Sequence, residues 1–332
     1  MPDIPLTPTP PDSATYHVLH ETLYPYDSQV ALSQQMLHLE PRPCAWQFCH
    51  EQLLRVAPAQ NWQRSGIDAF GNPVSWVVFD EPHESLQVSA EMVIEVLSHP
   101  PLIALADSPP WEEMRQRLAY HAQPLSDAEL DACRFCFESD YVRIKSEFAA
   151  YAADCFPAGR PLLVGVQALM EKIHEEFTFD PRATSVATPV TALLDLKRGV
   201  CQDYAHFMLS CLRSLGLPAR YMSGYLLTRP PAGKPRLIGA DASHAWVAVF
   251  CPEASADGWI AFDPTNNLIP DTEHITLAWG RDFGDVSPMR GVILGGGKHD
   301  PVVEVTVMPE EEWQAWQAQQ AAKHATKTKH TG

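Results

Sequence analysis

Residues 199–216 read GVCQDYAHFMLSCLRSLG, and the rest of the chain is organised around them. Ala205, Met208 and Leu212 recur at helical spacing, and Leu209 and Leu215 widen the apolar stripe. Gly216 supplies a left-handed stop, and Pro218 keeps the helix from restarting. The pattern predicts a helix that opens at Cys201 and buries one side. The first turn of a helix carries unpaired amides and the positive end of the dipole, and both favour a thiolate. Cysteine is also a common small core residue, so only the downstream sequence singles Cys201 out. His206 stands five residues on, about 140° around the helix, and cannot meet the Cys201 side chain. Asp203 points away likewise and serves the helix N-terminus.

Downstream, residues 243–250 (SHAWVAVF) are apolar on both faces, as in a central, doubly covered strand. Residues 252–258 turn the chain, and 259–263 (WIAFD) return it before Pro264 ends the strand. In an antiparallel hairpin, opposed residues have numbers that add to a constant, and this turn sets it at about 507 to 509. An odd sum puts His244 and Asp263 on one face, opposed or one pair apart; a one-residue slip separates them. In that register Asp263 fixes the imidazole tautomer and His244 takes the proton of Cys201. The expected catalytic set is Cys201, His244 and Asp263.

The 332 residues predict about two domains, and a 45% hydrophobic fraction can build a sizeable core. A net charge of −17, with no basic stripe, argues against nucleic acid and anionic membrane surfaces as partners. The proline-rich start (MPDIPLTPTPPDS) lacks a basic n-region and an apolar h-region. No run of apolar residues is long enough to span a bilayer, and a cytoplasmic location is expected. Eight cysteines in such a chain read as thiols, not a disulfide framework. Cys44 and Cys49 have no second ligand pair for zinc. Cys133 and Cys136 form a CxxC inside a helical pattern and read as structural thiols, so no metal or cofactor is expected.

The expected organisation is a leader at 1–14, a β-rich domain at 15–97, a linker and helical region at 98–160, a catalytic core at 161–308 and a helical, frayed tail at 309–332. Residues 111–123 and 126–156 read as helices, the second capped by Ser126 with Glu129, and 162–177 as a third. Residues 295–298 (GGGK) lack the spacing of a phosphate loop.

The stretches GVCQDYAHF (199–207), GLPARYMSGYL (216–226), SHAWV (243–247), GWIAFDPTN (258–266) and WGRDFGDVSPMRGVILGGG (279–297) resemble the bacterial transglutaminase-like proteins of the papain-like cysteine-enzyme superfamily. The β-rich first 97 residues are similar to the N-terminal domain such proteins often carry. The resemblance implies an α+β papain-like core, its cysteine helix packed on an antiparallel sheet, preceded by a small antiparallel β-domain. It implies Cys201 as nucleophile, His244 as base and Asp263 as its orienter. Nothing matches the calcium sites of animal transglutaminases. The expected function is cleavage of an amide, peptide or isopeptide bond through a thioester, with hydrolysis favoured over transfer to an amine. The alternatives are a protein-glutamine or peptide acyltransferase and a non-catalytic interaction module. Resembling proteins are often encoded near ATP-grasp-type ligases, which implies peptide-like metabolites as partners.

Overall fold

The computed structural model describes residues 12–119, 124–228, 239 and 243–328. Most of the expected leader, the end of the expected 111–123 helix, the proline-bearing loop at 230–235 and the last four residues of the tail lie outside them.

Five strands open the chain: β1 (Ser13–Leu37), β2 (Gln47–Ala57), β3 (Trp62–Ile67), β4 (Pro73–Phe79) and β5 (His83–Leu97). They pair in the order β2-β5-β1-β4-β3. β5 alternates buried and exposed residues for most of its length, as a sheet with one covered face requires. β1 breaks register between Pro25 and Val30, where a proline cannot donate to the ladder. Its first half lies beside β5 and its second half beside β4.

The helical region follows as α1 (Trp111–Arg117), α2 (Asp127–Cys133), α3 (Ser146–Ala152) and α4 (Leu162–Glu176). Ser126 and Glu129 form the expected capping box. The helix expected over 126–156 is interrupted, because residues 137–145 are tied to the Cys201 helix instead. The N–H of Arg143 donates to Ser210 Oγ and that of Lys145 to Ser214 Oγ. The Arg213 guanidinium donates to the carbonyl of Phe137.

The core then runs through β6 (Thr178–Phe179), α5 (Leu193–Leu196), β7 (Arg198–Gly199), α6 (Cys201–Ser214), β8 (Ala219–Leu226), β9 (Ser243–Phe250), β10 (Trp259–Phe262), β11 (His274–Gly280) and α7 (Phe283–Val286). Four of these strands make a second antiparallel sheet in the order β10-β9-β8-β11, on which α6 packs. Residues 245–250 of β9 are buried on both faces.

The chain next returns to the first sheet. β12 (Met289–Gly295) and β13 (Val302–Pro309) pair with the two halves of β1, and α8 (Glu310–Thr328) follows. The expected core of 161–308 therefore ends in strands of the other sheet: Val305 and Val307 are fully buried against Tyr16, Val18 and Met92. The two sheets meet at β11, the edge strand of the second. There the Gln47 carboxamide donates to the carbonyl of Thr276 and accepts its N–H, and Asn72 does the same for Trp279. Two side-chain amides thus occupy an edge that another strand could otherwise claim.

Candidate active site

Cys201 is the first residue of α6, preceded by extended backbone at Val200. One Asp203 carboxylate oxygen accepts the Val200 N–H at 2.8 Å and the Thr184 hydroxyl at 2.7 Å, which ties down the turn before the cysteine. Gly199 is needed there, because a Cβ would collide with that carboxylate. From Asp203 to Arg213 every residue of α6 is buried, polar ones included, whereas Cys201 keeps partial exposure. The expected one-sided helix is thus enclosed on all sides. Its polar residues have partners: Arg213 donates to the carbonyls of Ala219, Phe137 and Arg281, and Ser210 to that of His206. His206 stacks on Tyr141 at 5.2 Å and accepts the Phe283 N–H.

In the hairpin Trp259 opposes Phe250, a sum of 509 (259 + 250), so His244 and Asp263 share a face one pair apart. Gly224 of β8 is paired with His244, and a Cβ there would run into the carbonyl of Ile275 and the Trp246 ring. The His244 Nε2–Asp263 Oδ2 distance is 2.7 Å, and both residues are buried. The other ring nitrogen is left free of Asp263, and the Cys201 thiol is near enough to act on the ring. Burial pushes the imidazole down, but the bond to Asp263, together with the nearby Cys201 thiol, outweighs it and raises its pKa to about 10.

Asp263 is fully buried and densely bonded. Its Oδ1 accepts the backbone N–H groups of Thr265 and Asn266 at 3.0 and 3.2 Å. Its Oδ2 accepts His244, the Asn266 amide at 2.8 Å and His274 Nε2 at 3.1 Å. Burial pushes the carboxyl up, yet the bonds from His244 and His274 hold it well below the usual carboxylate range. Neither Asn266 nor His274 is among the residues expected from sequence. Asn266 was legible, because it ends the quoted GWIAFDPTN stretch. His274 opens a strand with no motif around it, and its partner lies on a different strand.

His244, Asp263 and His274 are also the one group among the described residues whose donor atoms are close enough to share a cation, all within 4.8 Å. Their contacts of 2.7 and 3.1 Å are direct hydrogen bonds. Two ligands of a tetrahedral zinc, bound at about 2.0–2.1 Å, stand about 3.3 Å apart. The trio is bonded to itself. Cys133 and Cys136 are free thiols, with burial pushing Cys136 up to about 12.

Residues 16–95 match the bacterial transglutaminase-like N-terminal region, and residues 150–264 match the transglutaminase-like superfamily. An uncharacterized protein of Mycobacterium tuberculosis is 34% identical over 89% of this chain and 93% of its own length. The chain belongs to the transglutaminase-like superfamily. Members of this superfamily are cysteine-dependent enzymes. A transglutaminase-like fold also relates the chain to a crystal structure from Cytophaga hutchinsonii, provisionally described as a cysteine protease. That likeness has a TM-score of 0.70 at 17% identity, covering 90% of this chain and 92% of that one. A shorter match, 34% identical over 113 residues, links 32% of this chain to 16% of a protein-glutamine gamma-glutamyltransferase of Pseudomonas aeruginosa. Among the described residues, no helix of this transglutaminase-like chain is long and apolar enough to cross a membrane.

Proposed function

We propose that the protein cleaves an amide, peptide or isopeptide bond through a thioester on Cys201, with His244 as base and acid and Asp263 as its orienting carboxylate. The observation that carries this reading is the 2.7 Å His244–Asp263 contact on the sheet face that meets the Cys201 end of α6. The Cys201 thiolate attacks the substrate carbonyl while the His244 imidazolium holds the proton. The carbon–nitrogen bond breaks as His244 gives that proton to the leaving amine, and a thioester remains. Neutral His244 then takes a proton from water, whose oxygen attacks the thioester. Collapse expels the Cys201 thiolate and releases the carboxylic acid. The Cys201 N–H, at the first helical position, has no partner within the helix and is placed to receive the oxyanion.

Hydrolysis is favoured, because water is always present whereas an amine acceptor needs a site of its own. The second reading, transfer to a lysine-like amine, has the support of the glutamyltransferase relative over about a third of the chain. A screen of amides and short peptides with mass detection, run with and without added amine, separates the two. Release of acid plus amine, unchanged by added amine, supports hydrolysis; an amine-dependent adduct overturns that preference. A Cys201→Ala chain that still turns substrate over removes the whole reading.

A further inference from the structure

The Asp263 oxygen that holds His244 also holds a second imidazole. His274 Nε2 lies 3.1 Å from that Oδ2, and His274 is as deeply buried as its partners. Its other nitrogen, Nδ1, is buried and has no hydrogen-bond partner among the described residues. A buried ring with one nitrogen unsatisfied costs stability, and among the described residues its one side-chain hydrogen bond is to the carboxylate. The ring is gripped edge-on by Trp246 at 5.2 Å, and the same indole stacks on His244 at 5.9 Å. The charged or titratable groups acting on it are Asp263, His244 and Glu273.

We propose that His274 is a positioning residue for the Asp263–His244 pair, an inference that rests on the role given to Asp263 above. With no acceptor at Nδ1, the neutral ring carries its proton on Nε2 and donates it to Oδ2. With the two backbone N–H groups on Oδ1 and Asn266 on Oδ2, this donor leaves the carboxylate no rotation that keeps its bonds. It also supports the carboxylate's negative charge in a buried site. A neutral donor does this without adding a second cation that would compete with the His244 imidazolium for the same oxygen. His274 touches neither the thiol nor the reacting atoms, so it acts through Asp263.

The 332-residue chain tests this through iodoacetamide alkylation of Cys201 from pH 5 to 9, read by peptide mapping. His274→Phe keeps the ring volume and removes the donor; His274→Gln keeps an N–H near the Nε2 position. In His274→Phe, alkylation at pH 6 is expected to fall about tenfold, a part of the 10² to 10⁴ a positioned base supplies, with little change at pH 9. His274→Gln is expected to restore most of the loss. A folded His274→Phe chain with the wild-type profile overturns the proposal. ¹⁵N spectra of the wild-type histidine rings give a test that no misfolded variant can spoil. A His274 proton on Nε2 supports the proposal, and one on Nδ1 overturns it. A wild-type Cys201 no more reactive at pH 6 than the other thiols overturns the acyl-transfer reading instead, which is a distinguishable result.

Discussion

His206 and His244 pack into the same core and are almost equally buried, at 4% and 8% exposure, yet their surroundings drive them in opposite directions. His206 sits between Tyr141 and Tyr221 and accepts a backbone N–H. Burial, helped by the Arg213 charge, lowers its pKa to about 3. At His244 the same burial is overcome by Asp263 and Cys201, and the pKa rises to about 10. Burial alone makes a neutral aromatic spacer. A carboxylate one strand pair away makes a cation that can stand beside a thiol.

The sharpest way to break this contrast is His244→Ala. Iodoacetamide alkylation of Cys201 at pH 6 should fall by about 10² to 10⁴, the range for a positioned base. Loss of less than threefold would put His244 in the same class as His206.

Asp263→Asn comes next. It leaves His244 in place but removes the charge that holds the imidazolium, so alkylation should fall substantially without vanishing. Sequence alone suggests little change in stability for this shape-preserving substitution. The five hydrogen bonds that the Asp263 carboxylate accepts from the described residues argue otherwise, since an amide NH₂ would face buried donors. Urea unfolding should show a loss of about 1–3 kcal/mol. An unchanged midpoint would mean that the donors find other partners.

The two histidines also differ in the sign of their pH dependence. His244 is raised, so its contribution to stability is complete below about pH 6.5 and is lost as pH climbs through about 10. His206 is lowered, so the unfolded chain binds the extra proton, and stability falls as pH drops from about 6.5 toward 3. The His206 share of that slope approaches about 1.4 kcal/mol per pH unit. His206→Gln keeps an acceptor for Phe283 and should flatten the acid side of the curve between pH 6 and 4 while leaving Cys201 alkylation unchanged. An unaltered slope would show that His206 is not held neutral.

The smallest effect is expected at the CxxC. Changing Cys133 and Cys136 to Ser should leave Cys201 alkylation within about twofold, because burial raises both thiols and disfavours the thiolate. A large drop, or labelling of either ahead of Cys201, would make that pair the reactive one.

The sequence carried the helix boundary at Cys201 and the hairpin that sets His244 beside Asp263, because both are short-range features. Gly199, Gly216 and Pro218 mark the first, and the odd sum across a short turn marks the second. What was not legible depends on partners far away in the chain. β13 alternates well enough to be a strand, but nothing in 302–309 says that its neighbour is β1, nearly 300 residues earlier. The helical pattern over 126–156 gives no sign that Ser210 and Ser214 will take the backbone of 137–145. His274 escaped for the same reason. Its meaning comes from an oxygen on another strand, and a lone histidine in an apolar run looks like packing.

Gln47 and Asn72 hold the N–H and C=O groups of β11 as a neighbouring strand would, and the chain recrosses to the first sheet after residue 288. Excising residues 98–288 as a stand-alone enzyme would therefore bare the flank of β11 and strip its apolar residues Ile275 and Leu277 of their cover. Such a fragment would self-associate along that flank. Subdividing this protein for crystallisation or engineering therefore has to preserve the two carboxamides, either by keeping the first ninety-odd residues or by grafting a substitute strand in their place.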